Sequence, residues 1–341
     1  MALEQAKIRV EDHRIVYWTS TGAKGALEIA HAVPYCNVAF LLLGPGCSIS
    51  SEAMELLAAA NVVIGFTGAA CTPLNAGVEP IAFACGQSEY RPTAYMQTWA
   101  RWWFDDAQRL AKGRELLAWR AQLLDEVWTS SLLRHVLDDC RIPPLDPQGF
   151  FQQRAPQPPA TGAAQTQAPR AKPTTLLARA TASTAPPTAP KPGGAQDYVQ
   201  ERFGGQSTEQ LLGQEGDHVK RLYRYLAAHT GTDFNGRDPH RSDGVNALLT
   251  MGNYVAYGLA ATALHGLGIS FSFAILHGKT RRGALVFDIA DPVKDALVAP
   301  IAFACARAGK DKDTCRRMLK QALEDGRMLA RTMDFVKSLA T

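Results

Sequence analysis

The chain has 341 residues, of which 46% are hydrophobic and 20% charged, with a formal net charge of +4. That is enough apolar material for two folded units with cores of their own, and it excludes a chain that stays unfolded for want of a core. The opening residues MALEQAKIRVEDHR carry charges where a secretory signal needs an apolar run, and no window approaches eighteen uninterrupted apolar residues, so a cytoplasmic protein that crosses no membrane is expected.

Short apolar, β-rich runs come first, at Arg14 to Trp18, Asn37 to Leu43 and Asn61 to Phe66, punctuated by Gly44, Pro45 and Gly46 and by Gly65, Gly68 and Pro73. They predict a small β domain over residues 1–91, with one helix opening at Ser50, Ser51 or Glu52 and running through Ala60. From Pro92 the period changes. Tyr95, Trp99, Trp102 and Trp103, followed by Leu110 and Leu117, fall on helical spacing and predict one long amphipathic helix, the start of a helical unit at 92–154. Tryptophans at that spacing are read as core and not as a base-stacking stripe.

Residues 155–196 hold nine prolines, no aromatic residue and no acid, a composition that predicts a flexible insertion. Its four cations, Arg170, Lys172, Arg179 and Lys191, account for the whole net charge, so a case for nucleic acid has to come from local clusters. The remainder, 197–341, is helical in pattern. Seven cysteines, at 36, 47, 71, 85, 140, 305 and 315, form no CxxC pair and read as reduced, mostly buried thiols.

Four residues could carry chemistry. Ser207 to Gln210 is a capping-box pattern opening a helix, and Glu215 stands on its apolar stripe, four residues after Leu211 and four before Val219. A carboxylate there needs a cation; an edge position, or pairing with Lys220 or Arg221, would equally account for it. His277 ends an apolar stretch and is followed at once by Lys279, Arg281 and Arg282, which suits a ring nitrogen facing a cleft and cations facing a polyanion, or a core-edge histidine beside a solvated turn. Asp288 closes the run Leu285, Val286, Phe287. Asp291 precedes Pro292, so it is expected as the cap of a helix from Pro292 to about Ala308. Three carboxylates and one imidazole suit a hard divalent ion, Mg2+ or Mn2+, and chemistry on phosphate esters.

Several blocks resemble one family. LLLGPGCSIS with AMELLAAANVVIGFTG, SEYRPTAYMQTWARWWFDD, NALLTMGNYVAYGLAATALHGLGI and AILHGKTRRGALVFDIAD are similar to the CRISPR-associated protein one family, the integrases of spacer acquisition, and within it to subtype I-F. The resemblance implies an α+β protein, a small N-terminal β domain followed by a mainly α-helical catalytic domain. It implies metal ligands at Glu215, His277 and Asp291, support from Asp288, and DNA contacts from Lys279, with Arg281 and Arg282 beside it. It further implies a homodimer acting on double-stranded protospacer and repeat DNA with a small ferredoxin-like adaptation protein, fused in this subtype to a helicase-nuclease. A nuclease that only cuts branched or single-stranded DNA, and a DNA-binding scaffold without turnover, are the alternatives.

Overall fold

In Ala6–Glu11 buried and exposed residues alternate at first, Ala6 and Ile8 inward, as a strand with one covered face requires. The computed structural model describes residues 2–3, 5–20, 28–38, 40–60, 62–66, 82–84, 93–152, 194–238, 244–278 and 283–341. Its N-terminal part holds β1 (Ala2–Leu3), β2 (Ala6–Glu11), β3 (Arg14–Ser20), β4 (Glu28–Ala32), β5 (Phe40–Leu43), β6 (Ser48–Ile49), α1 (Ser51–Ala59), β7 (Val63–Phe66) and β8 (Ala82–Ala84). One sheet has the order β1-β5-β7-β8, with the first three strands parallel and β8 antiparallel. The other runs β4-β3-β2-β6, antiparallel except for β6 along β2. Ile8, Ile15, Leu41, Leu57 and Ile64 form the core of this unit. Ser50 caps α1 by accepting from the Ala53 amide at 3.2 Å.

The helical part comprises α2 (Ala94–Trp103), α3 (Asp106–Thr129), α4 (Arg134–Asp139), α5 (Pro147–Phe151), α6 (Ala195–Arg202), α7 (Thr208–Thr230), α8 (Gly244–Gly266), α9 (Ala284–Val293), α10 (Ala299–Arg307), α11 (Lys312–Asp325) and α12 (Met328–Leu339). Its core is separate from that of the strands. The α+β expectation, a small β unit before a mainly helical one, is met. The expected insertion, 155–196, lies outside the described residues except for its end, where Ala195 and Gln196 already belong to α6.

Two helix boundaries depart from expectation. The long helix from residue 92 is two, because the Asp105 carboxylate takes the amides of Ala107 and Gln108 at 2.9 and 3.1 Å and starts α3 afresh. The tryptophans are core, as read: Trp99 and Trp102 are buried, and the Trp102 indole donates to the Leu339 carbonyl at 3.0 Å. The second departure concerns Asp291, which caps nothing. The helix begins eight residues before Pro292, after Gly283 at φ +67°, and continues from α9 through a π-helical turn, Lys294–Val298, into α10. All ten residues of α9 are buried, so no amphipathic period marks it, and neighbouring packing outweighs the backbone hydrogen bond lost at Pro292. Pro300 likewise has no N–H for the Ala296 carbonyl one turn back, and that oxygen accepts the Trp128 indole N–H at 3.2 Å.

Helix α8 has 23 residues and is long and apolar enough to span a bilayer, yet most of it is buried against other helices. It approaches the π-helical turn at Gly252, where an added Cβ would lie 2.5 Å from Val298 Cγ1. A Gly→Ala change in a helix ordinarily gains up to about 1 kcal/mol; here the overlap should reverse the sign and cost about 1–3 kcal/mol. Urea unfolding should show Gly252→Ala destabilised, and adding Val298→Ala should recover much of the loss.

Candidate active site

Glu215 comes from the third turn of α7. Ser207 caps that helix by accepting from the Gln210 amide at 3.2 Å, while Gln210 reaches back to the Gln206 amide at 2.7 Å, one residue before the position a capping box would use. The stripe carries Glu215 inward, as the spacing predicts. Its partner is neither Lys220, which bonds Asp217, nor Arg221, whose guanidinium lies over Phe150 and Tyr198; it is Arg120 of α3, with Nη1 2.6 Å from Oε1.

His277 sits in the connection between α8 and α9, and two sets of bonds fix that loop. From α2, the indoles of Trp99 and Trp103 donate to the carbonyls of Phe273 and Ala274 at 3.1 and 2.7 Å. From α9, the fully buried Asp288 carboxylate accepts three consecutive amides: Ile275 and Leu276 at 2.6 and 3.1 Å on Oδ2, and His277 at 3.2 Å on Oδ1. The same Oδ1 lies 2.7 Å from His277 Nδ1. A carboxylate accepts only, so Nδ1 carries the hydrogen in the neutral ring and the Nε2 lone pair is left for the pocket. Burial draws the imidazolium pKa down, and the Asp288 hydrogen bond with the charges of Asp288, Asp291 and Glu215 outweighs it, raising the value above that of a free histidine.

Asp291 stands one turn beyond Asp288. Its Oδ1 is 2.5 Å from Lys294 Nζ and its Oδ2 3.9 Å from Arg120 Nη1. Burial opposes the ionised form, but these two cations hold the carboxyl below its ordinary range. Lys294 is half-buried and kept charged by Asp291, with Nζ 5.4 Å above the Tyr257 ring. Behind the pair, Asp295 Oδ2 meets Arg120 Nε at 2.5 Å and His218 Nε2 at 2.7 Å, and His218 Nδ1 meets the Tyr198 hydroxyl at 2.6 Å. Burial again works against Asp295, and Arg120 with His218 overcomes it, holding that carboxyl well below the usual range; burial pushes the Tyr198 phenol up to about 12.

Glu215, His277 and Asp291 thus line one cavity of about 800 Å3, together with Lys294, Asn253, Tyr254, Tyr257, Lys220 and Arg224. Of the residues expected from sequence, Lys279, Arg281 and Arg282 lie outside the described residues. Arg120, His218, Asp295 and Lys294 were not anticipated. Arg120 announces itself as a charge on the apolar face of α3, between Leu116, Leu117 and Leu123, Leu124. Asp288, Asp291 and Asp295 are spaced for one helix face, a sign hidden by placing the helix start at Pro292.

The donors fit a hard divalent ion: two carboxylates and an imidazole nitrogen on one cavity, in a group where Glu215, Asp291 and Asp295 outnumber the cations Arg120 and Lys294. Among the described residues no three such side chains are drawn together closely enough to hold an ion as they stand, the carboxylates being turned to Arg120 and Lys294.

A family model for CRISPR associated protein Cas1 matches residues 184–324. The CRISPR-associated endonuclease Cas1 of Pseudomonas aeruginosa (strain UCBPP-PA14) is 34% identical over 339 residues, covering 98% of this chain and 89% of that relative. Among solved structures, a TtCas1–DNA complex superposes with a TM-score of 0.57 at 22% identity, covering 99% of this chain and 90% of that one. A casposase bound to integration product gives 0.59 at 12% identity, covering 100% and 90%. These two likenesses concern the fold; the identity to the Pseudomonas protein over nearly the full length shows that the chain belongs to the Cas1 family.

Proposed function

We propose that this chain is a divalent-metal-dependent DNA integrase of CRISPR spacer acquisition, in which the 3′-hydroxyl of a protospacer strand attacks the phosphodiester at a repeat boundary. The observation that carries the reading is the convergence of Glu215, His277 Nε2 and Asp291, from a helix, a clamped loop and a second helix, on one cavity. The names of the relatives support it: an endonuclease by sequence, and by fold a DNA complex and a casposase with integration product.

Glu215, His277 and Asp291 would hold Mg2+ or Mn2+, which supplies a Lewis acid for the phosphoryl oxygens and charge stabilisation for the entering and leaving ones. The chain's own residues do the rest. Asp288 keeps His277 in the Nδ1–H tautomer and aims Nε2, so the ring needs no reorganisation on binding. Lys220 and Arg224, exposed at the cavity, are placed to meet the DNA phosphates, and Lys279, Arg281 and Arg282 are assigned the same task from the sequence. Water in place of the hydroxyl turns the same chemistry into cutting. A homodimer, and a small ferredoxin-like partner fused to a helicase-nuclease, complete the proposal.

A half-site assay tests it. Purified protein, with and without the partner, is mixed with 3′-hydroxyl protospacer DNA and a repeat substrate in Mg2+, Mn2+ or chelator. Joined strands are expected with metal and not with chelator, and His277→Ala should lower joining by about 100-fold or more. Shortened fragments without joined strands would favour a plain nuclease, and joining by His277→Ala at the wild-type level in Mn2+ would remove the assignment.

A subtler variant separates ligand from clamp. Asp288→Asn keeps the shape but puts an amide N–H where an acceptor is needed, so joining should fall about 10–100-fold with Glu215, His277 and Asp291 all present. Wild-type rates would show that the clamp does not set the histidine.

A further inference from the structure

Behind the cavity lies a chain of buried polar groups that the proposed reaction does not touch: Tyr198 on α6, His218 on α7, Asp295 in the π-helical turn and Arg120 on α3. With His218 Nε2–H donating to the carboxylate, Nδ1 takes the hydroxyl hydrogen of Tyr198, so the neutral chain is polarised in one direction and ends on Asp295 Oδ2. That oxygen then receives Arg120 Nε–H.

Arg120 is the member that faces both ways. A guanidinium beside a single carboxylate closes a two-bond fork. Here it does not: Nε goes to Asp295 and Nη1 to Glu215 Oε1, while Nη2 is buried with no hydrogen-bond partner. An orphaned N–H in a dry interior is costly, and a rotation bringing Nη2 onto Glu215 or Asp291 would satisfy it. Nη1 already takes Glu215 Oε1, and such a rotation would add a second donor and close both carboxylates off from any ion. What opposes it is the bond to Asp295, itself backed by His218 and Tyr198.

We propose that Asp295 is a positioning residue which, backed by His218 and Tyr198, restrains Arg120 to its single bond on Glu215 Oε1, so that Glu215 Oε2 and Asp291 Oδ2 stay available to a divalent ion. The proposal rests on the reading of Glu215, His277 and Asp291 as ligands. Without Asp295, the freed Arg120 is a built-in competitor for the metal, carrying the same sign of charge to the same oxygens.

The test is Mn2+ binding, read from the free-ion electron paramagnetic resonance signal during titration of the full chain, with thermal unfolding followed in parallel. Wild type should bind Mn2+, and Glu215→Ala should lose it. Equal binding by Glu215→Ala would overturn the ligand reading itself and the present proposal with it. With that control in hand, Asp295→Asn should weaken the affinity about 10–100-fold. Arg120→Gln added to Asp295→Asn removes the competitor, and affinity should return to within about threefold of wild type. Unchanged affinity in Asp295→Asn, or a double variant no better than the single one, would overturn the restraint, since a merely structural role moves the melting temperature without this pattern of loss and rescue. If Asp295→Asn does not fold, Tyr198→Phe decides: loss of one hydrogen bond at the far end should weaken Mn2+ binding about threefold or more, and an affinity equal to wild type would overturn the proposal.

Discussion

Taking a carboxylate out of water costs several kcal/mol even after the surroundings relax, and that cost is recovered only through close partners. Glu215, Asp291 and Asp295 are all buried where α3, α7 and the α9–π–α10 helix meet, and the cations among them are Arg120 and Lys294. The helices are therefore tied together by charge as well as by the apolar core. One guanidinium, reaching Asp295 on one side and Glu215 on the other, fixes the distance of α3 from both neighbours. A group with three acids to two cations is incomplete electrostatically, and incompleteness in a dry setting is what gives a hard cation a reason to enter.

The loop carrying His277 shows how ordinary packing serves chemistry. Trp99 is buried in the core and Trp103 is half-buried against it, yet their indole N–H groups hold the two carbonyls just ahead of Ile275. Asp288 then gathers the next three amides and the imidazole on one carboxylate. The donors on the backbone and the ring share a single acceptor, so the tautomer of His277 and the path of its loop are decided by the same bonds.

Much of this was legible in the sequence. The strands at Arg14, Phe40 and Val63, the helix capped by Ser50, the cap at Ser207 and the inward aim of Glu215 follow from period and capping chemistry. The strands β1, β6 and β8 are two or three residues long, too short to leave a period. Asp291 was misplaced because a fully buried helix has no polar face to reveal it, and because proline before a long apolar run is the usual mark of a helix start. The partners of Glu215 and Asp295 come from α3 and α7, 77 to 175 residues away along the chain, a pairing that no local spacing can disclose.

Helical spacing explains why these acids are coupled at all. Asp288, Asp291 and Asp295 project within an arc of about 60° on a continuous helix, so three like charges are stacked along one buried edge. Each is answered from a different direction: Asp288 by the amides and ring of the His277 loop, Asp291 by Lys294 on its own helix, Asp295 by α3 and α7. Of the three, Asp291 has the most local and most exchangeable partner, since the Lys294 side chain is long and partly exposed. Asp288 cannot be released without moving the loop whose amides it holds, and Asp295 is gripped from two helices at once by Arg120 and His218. The edge thus contains two carboxylates committed to structure and, between them, one whose counter-ion can be replaced, which is where a metal ligand is compatible with a stable fold.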